Sequence, residues 1–143
     1  MMQQLLLAMG GLPPQQTWSD RMTGTWSNIT NAYDNDESTY AQISGLGDPE
    51  TVTLLDPNPT IDATSSIQIK GHCTNGQIRI GVPGANSIDF YSQGGDSGIQ
   101  TRTFSTTATI GPVTAMSVSP NTAFRLYFVK FDGILLIDGG PGF

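Results

Sequence analysis

Three carboxylates stand within the four residues Asp34-Asn35-Asp36-Glu37, and clustered carboxylate oxygens are what a hard cation such as Ca²⁺ seeks. Asp34, Asp36 and Ser38 follow the D-x-D-x-S opening of a helix–loop–helix calcium site. The second half departs from it: Thr39 stands where that loop turns on glycine, and Gly45 where it closes with a bidentate glutamate. The segment therefore reads first as a solvated acidic turn. Asp34 and Asp36 are kept as candidate ligands of a structural Ca²⁺, for which the backbone must supply most of the oxygens. No other cofactor is expected.

His72 and Cys73 are the single histidine and the single cysteine of the chain. As neighbours at the end of a strand they point to opposite faces, whereas a Cys-His nucleophile pair must come within hydrogen-bond reach. One His and one Cys also fall short of the ligands that zinc requires. A glycosidase needs two carboxylates at a set separation; Asp89, Asp96, Asp132 and Asp138 could supply such a pair, but nothing in the sequence sets any two of them at that separation. Catalysis is not expected. Trp18, Trp26, Tyr33, Tyr40 and Tyr91 could stack on a sugar, although such residues more often anchor a core or an interface. Arg102, near the loop Gly94-Gly95-Asp96-Ser97-Gly98, is placed where a sugar-binding loop wants a cation. Trp26, Tyr91 and Arg102 are thus the candidate glycan contacts.

The elements that must position these residues are strands. At 143 residues the chain has room for one two-layer core and not for two. Only 13% of it is charged, and 17 Gly and 9 Pro punctuate short β-branched runs, which is the composition of an all-β sandwich or barrel and not of a helical bundle. A net charge of −6, with six basic residues scattered singly along the sequence, argues against nucleic acid as a partner. A lone cysteine excludes an intrachain disulfide framework and fits assembly in a reducing cytosol.

The first residues, Met1 to Leu12, contain the apolar run Leu5 to Met9. It lacks a basic flank for a signal peptide and is too short to span a bilayer, so no membrane is expected. Five such residues left bare invite aggregation unless something covers them. Residues 1–16 are expected to form an apolar arm, stiffened at Pro13-Pro14, that docks through Leu5, Leu6, Leu7, Met9 and Leu12 on a partner. Residues 17–143 then form the sandwich.

Its centre is expected at Thr122 to Asp138. Phe124, Leu126, Phe128 and Lys130 alternate with Arg125, Tyr127, Val129 and Phe131, and Asp132-Gly133 turns the chain into a second apolar run. Apolar on both sides, such a strand belongs inside a sheet. Further strands are expected at 25–29, 40–44, 51–55, 66–70, 77–82, 87–91, 101–104, 107–110 and 113–118, with a helical turn at 29–34. Thr74-Asn75-Gly76 favours a second hairpin.

The segment Asn31 to Tyr40, N-A-Y-D-N-D-E-S-T-Y, resembles the A-F-D-G-[ND]-x-x-T-x-[WY] signature of discoidin-like, galactose-binding-like β-sandwiches. Ala32, Tyr33, Asp34, Asp36, Thr39 and Tyr40 carry the match, and Asn35 replaces the signature glycine in a position that Asn tolerates. That resemblance implies a jelly-roll-like sandwich whose long closing strand returns beside the first strands, and a calcium ion held near the loop through backbone carbonyls. The L-L-L-A-M-G-G start, the A-Y-D-x-D-x-S-T-Y loop and the closing F-D-G-I-L-L-I-D-G are also similar to small modules in virion proteins of marine tailed phages, cyanophages in particular. That similarity implies a virion protein, made and assembled in the host cytoplasm, structural or adhesive in role. Its partners are then other capsid or tail proteins, and it is present as a homo-oligomer or in many copies. Capsid decoration or cement is the first expectation, because neither a coiled-coil nor a β-helical shaft is present. A tail or fibre-associated adhesin for host glycans is the second.

Overall fold

The computed structural model describes residues 17–57, 60, 66–91 and 96–140; the arm and its five candidate contacts, Leu5 to Leu12, lie outside them. Among the described residues, two 3-10 turns, Trp18–Arg21 and Ile29–Tyr33, precede nine strands. These are β1 (Ala41–Leu46), β2 (Glu50–Leu55), β3 (Ser66–Asn75), β4 (Gln77–Gly81), β5 (Ile88–Tyr91), β6 (Ile99–Ser105), β7 (Val113–Ser117), β8 (Thr122–Phe131) and β9 (Ile134–Leu135). They build two antiparallel sheets, β1-β8-β3-β6 with β9 added beside β8, and β2-β7-β4-β5. The chain is an all-β sandwich.

The pairing follows one rule. β1 pairs with β8, β2 with β7, β3 with β6 and β4 with β5, as if a long two-stranded ribbon, folded at β4–β5, had been rolled over itself. Alternation puts one side of each strand into the layer between the sheets. Ile67, Ile69 and Cys73 of β3, Ile78 and Ile80 of β4, Val113 and Ala115 of β7, and Phe124, Leu126, Val129 and Phe131 of β8 meet there in one core. Gly71 continues the inward row of β3, and a Cβ at that position would collide with the ring of Phe124.

Below the sheets, fully buried Trp18 packs on Tyr33 and, edge to face at 6.4 Å, on Phe131. The Tyr33 hydroxyl donates to the Leu54 carbonyl at 2.7 Å. Asp138 ties the closing segment to the opening one: its Oδ1 accepts the Ser19 N–H at 3.0 Å, and its own N–H donates to the Tyr33 carbonyl at 2.9 Å.

Four expectations change. Thr74-Asn75-Gly76 is not a hairpin, because β3 and β4 lie in different sheets; Gly76, at φ +81°, turns a corner between the layers where a Cβ would collide with Thr122 and Ser119. β8 does not alternate evenly. Lys70 pairs with Phe128 and the next residue, Gly71, with Leu126, so Tyr127 is the extra residue of a bulge. Phe124 and Leu126 point inward before it and Val129 and Phe131 after it, leaving Phe128 beside Arg125 and Tyr127 on the outer face. Residues 25–29 contribute a single bridge, Ser27 to Gln42, in place of a strand. Residues 107–110 form a loop that Thr106 holds, its hydroxyl donating to the Pro83 carbonyl and accepting the Ala108 N–H.

Candidate binding face

The outer side of the β1-β8-β3-β6 sheet is where the cations of this acidic chain gather. On β3 the residues opposite the core row are Gln68, Lys70 and His72; across the register they meet Lys130, Phe128 and Arg125 of β8. Three of the six basic residues thus share one face, although they are isolated in the sequence.

Each cation is held against an aromatic ring. Arg125 lies over Tyr40 at 4.5 Å, Lys70 over Tyr127 at 5.0 Å and Phe128 at 5.8 Å, and Lys130 over Phe128 at 4.7 Å. Tyr40 and Tyr127 are themselves in contact, with centroids 5.2 Å apart. Such pairs contribute about 0.5–1 kcal/mol each at partly exposed sites, and the lysine stems cover rings that would otherwise face water. Tyr127 and Phe128 are accordingly buried although they lie outside the core. Glu37 binds two of the cations, accepting from Lys70 Nζ through its carbonyl at 3.1 Å and pairing with Lys130 at 3.3 Å.

At the other end of the face His72 Nε2 meets the carboxylate of Asp96. The Gly98 N–H, first, and then His72 hold the Asp96 carboxyl below the usual carboxylate range. Arg125 has no such anion hydrogen-bonded to it among the described residues. Its Nε and the Nδ1 of His72 are shielded from solvent without a hydrogen-bond partner.

The residues singled out from the sequence lie elsewhere, Tyr40, His72 and Asp96 excepted. Asp34 and Asp36 organise their own loop: Asp34 accepts the Asp36 N–H at 3.0 Å and the Thr39 hydroxyl at 2.7 Å, and Asp36 accepts the Ser38 N–H and hydroxyl. The Ser38 hydroxyl and N–H hold the Asp36 carboxyl below its ordinary range. Asn35 takes the expected left-handed conformation at φ +65°. Among the described residues no group of three or more His, Cys, Asp or Glu side chains could hold a metal ion.

Trp26 sits beside the β1 edge, its indole N–H donating to the Thr23 carbonyl at 2.7 Å. Arg102 lies on the opposite edge strand, β6, in the inward register with Ile69. It donates to the Asp89 carbonyl at 3.2 Å and covers Phe90. Tyr91 ends β5, in the other sheet from β1, beside which Trp26 sits. The structure therefore does not bring Trp26 together with Arg102, because β1 and β6 close the two ends of the same sheet.

The remaining carboxylates are separately engaged. Asp89 pairs with Arg79 at 2.8 Å and accepts from Gln77, and those bonds, Arg79's first, keep its carboxyl low. Asp132 accepts the Ser66 N–H at 2.8 Å. Cys73 is buried in the core on the side opposite His72, and desolvation pushes its thiol up to about 11.

What sequence reading missed is the cation–aromatic face itself. The period-two series Gln68, Lys70, His72 was the one signal for it; its match to Arg125, Phe128 and Lys130 depends on a long-range register and on the bulge at Tyr127. Neither a protein-family model nor a curated protein matches this sequence.

Proposed function

We propose that this chain is an accessory structural protein of a tailed-phage virion, acting by assembly as a capsid decoration or cement protein. The observation that carries the reading is the rolled pairing of β1 with β8, β2 with β7, β3 with β6 and β4 with β5. That order resembles the one expected of a jelly roll, an architecture that viral capsid, lectin and cupin domains use. The surface favours assembly within that group. Among the described residues the Asp, His and Cys candidates are each tied into local structure, while one sheet face carries Arg and Tyr side chains of the kind enriched at protein interfaces. The similarity of the loop at Asn31–Tyr40 and of the closing F-D-G-I-L-L-I-D-G to modules of marine tailed phages supplies the virion.

Cryo-electron microscopy of purified particles, with protein quantification of the same sample, tests it. A β-sandwich density at symmetric capsid positions, in matching copy number, is expected. Density on the tail favours the adhesin reading instead, and absence of the chain from purified particles rejects both.

A further inference from the structure

The outer face of the β1-β8-β3-β6 sheet contains one row of side chains that crosses all four strands. Gln42 of β1 is in register with Arg125 of β8, Arg125 with His72 of β3, and His72 with Ile99 of β6. Ile99, 55% exposed, is the exposed large hydrophobic side chain among the described residues. Arg125 lies over Tyr40, and its Nε, shielded from solvent, has no hydrogen-bond partner among the described residues. The other two cations of the face are bound by Glu37.

We infer that this row is a docking site for an acidic segment of a partner protein, with a carboxylate of the partner on Arg125 and an adjacent apolar side chain on Ile99. This rests on the assembly reading above and names the chemistry of its partner. The chain carries a net charge of −6, so an acidic partner is repelled by most of the molecule and attracted where the Arg125 guanidinium stands with no hydrogen bond to its Nε, the nearby Asp96 carboxylate acting on it through charge alone. The guanidinium lies over the Tyr40 ring at 4.5 Å, and the planar donor fork of an arginine matches the geometry of a carboxylate. His72 flanks the fork, and its bond to Asp96 restrains the imidazole. Ile99 stands one strand further out, where burial of an exposed aliphatic side chain adds affinity with no polar group to desolvate.

The test is an NMR titration of the isotopically labelled full chain with a synthetic peptide of repeated Glu-Leu-Gly-Gly units. Its Gln-Leu-Gly-Gly counterpart and polygalacturonate serve as comparisons. Saturable shifts are expected at β3, β8 and the start of β6 with the Glu peptide, and none with the Gln peptide. Arg125→Gln should weaken binding about tenfold or more, the scale of one lost charge-assisted pair. Arg125→Lys should fall between, since it keeps the charge and loses the fork, and Ile99→Ser should weaken binding several-fold. Circular dichroism of each variant checks its fold.

Undiminished binding by Arg125→Gln, or equal binding of the Gln peptide, overturns the inference. Tighter, Arg125-dependent binding of polygalacturonate overturns it in favour of an acidic glycan. Rebinding to particles that lack the protein separates the two readings. If wild-type chain and Arg125→Gln decorate equally, the docking site fails and assembly stands. If the Glu peptide binds as expected but the wild-type chain does not decorate, the site stands and the particle is wrong.

Discussion

Cys73 illustrates how one side chain can be decided by its neighbours. Its strand alternates, so the thiol falls among Ile67, Ile69 and Phe124 in the core while His72 faces out. Burial disfavours the thiolate, which raises the thiol to about 11. We expect iodoacetamide at pH 8 to leave the native chain unmodified while alkylating it in concentrated urea, followed by intact mass; rapid labelling of native protein contradicts the core placement. The same shift has a sign in stability. A thiol that binds its proton more tightly when folded contributes fully below its unfolded value of about 8.5, and the contribution is lost as pH rises through the folded value. Wild type should therefore lose stability between pH 9 and 11 relative to Cys73→Ala. The measurement is the difference in urea midpoint between the two chains across that range.

Among the elements, the β8–β9 connection and the acidic loop are the most open to test. Asp132 and Gly133 both have positive φ, +47° and +84°, the requirement of the two-residue hairpin turn whose twist suits the flanking strands. A Cβ at Gly133 meets nothing within 4 Å, so any penalty there comes from the backbone and not from crowding. Gly133→Val should cost about 1–3 kcal/mol, the scale of a β-branched residue held in that region, and Gly133→Asn distinctly less. Urea denaturation gives both values, and equal midpoints for the two variants rule out backbone strain as the cause. In the loop Asp34–Thr39 the carboxylates already accept hydrogen bonds from Asp36, Ser38 and Thr39. EDTA is accordingly expected to leave the melting temperature unchanged; a rise of several degrees on adding Ca²⁺ instead identifies a cation that the loop binds, since a ligand stabilises the state it binds.

For the whole molecule, the rolled sandwich closes on itself through Asp138, Ser19 and Tyr33, and on the proposed assembly role the arm serves attachment and not folding. Residues 17–140 hold both ends of that closure. A chain that begins at Pro13 is expected to fold as the full chain does, by circular dichroism and thermal melting. Burial of Leu5, Leu6, Leu7 and Met9 in a partner would stabilise attachment by roughly 1.5–3 kcal/mol per side chain before the entropy of ordering is subtracted. The shortened chain should therefore decorate protein-deficient particles at much lower occupancy, measured by quantitative gel or cryo-electron microscopy. Undiminished occupancy assigns attachment to the sheet face alone. Failure to fold makes the arm part of the core.

Local chemistry in the sequence determined the β class, most strands, the helical turn before Asp34 and the tight turn at Asp132-Gly133. Period-two burial, Gly and Asn at positive φ, and a low charge content each act within a few residues. The opposite faces of His72 and Cys73 followed from the same alternation. The tertiary structure decided what depends on distant partners. Thr74–Gly76 carries turn residues whether the next strand joins the same sheet or crosses to the other one, and only the pairing of β4 with β5 and β7 selects the crossing. The reversal of faces in β8 needs the register with β3, because a bulge at Tyr127 is invisible in a run where nearly every residue is apolar. The row Gln42, Arg125, His72 and Ile99 combines four strands separated by long stretches of chain. No local pattern encodes such a row, since each member reads in isolation as an ordinary surface position and becomes a site only when the sheet is assembled.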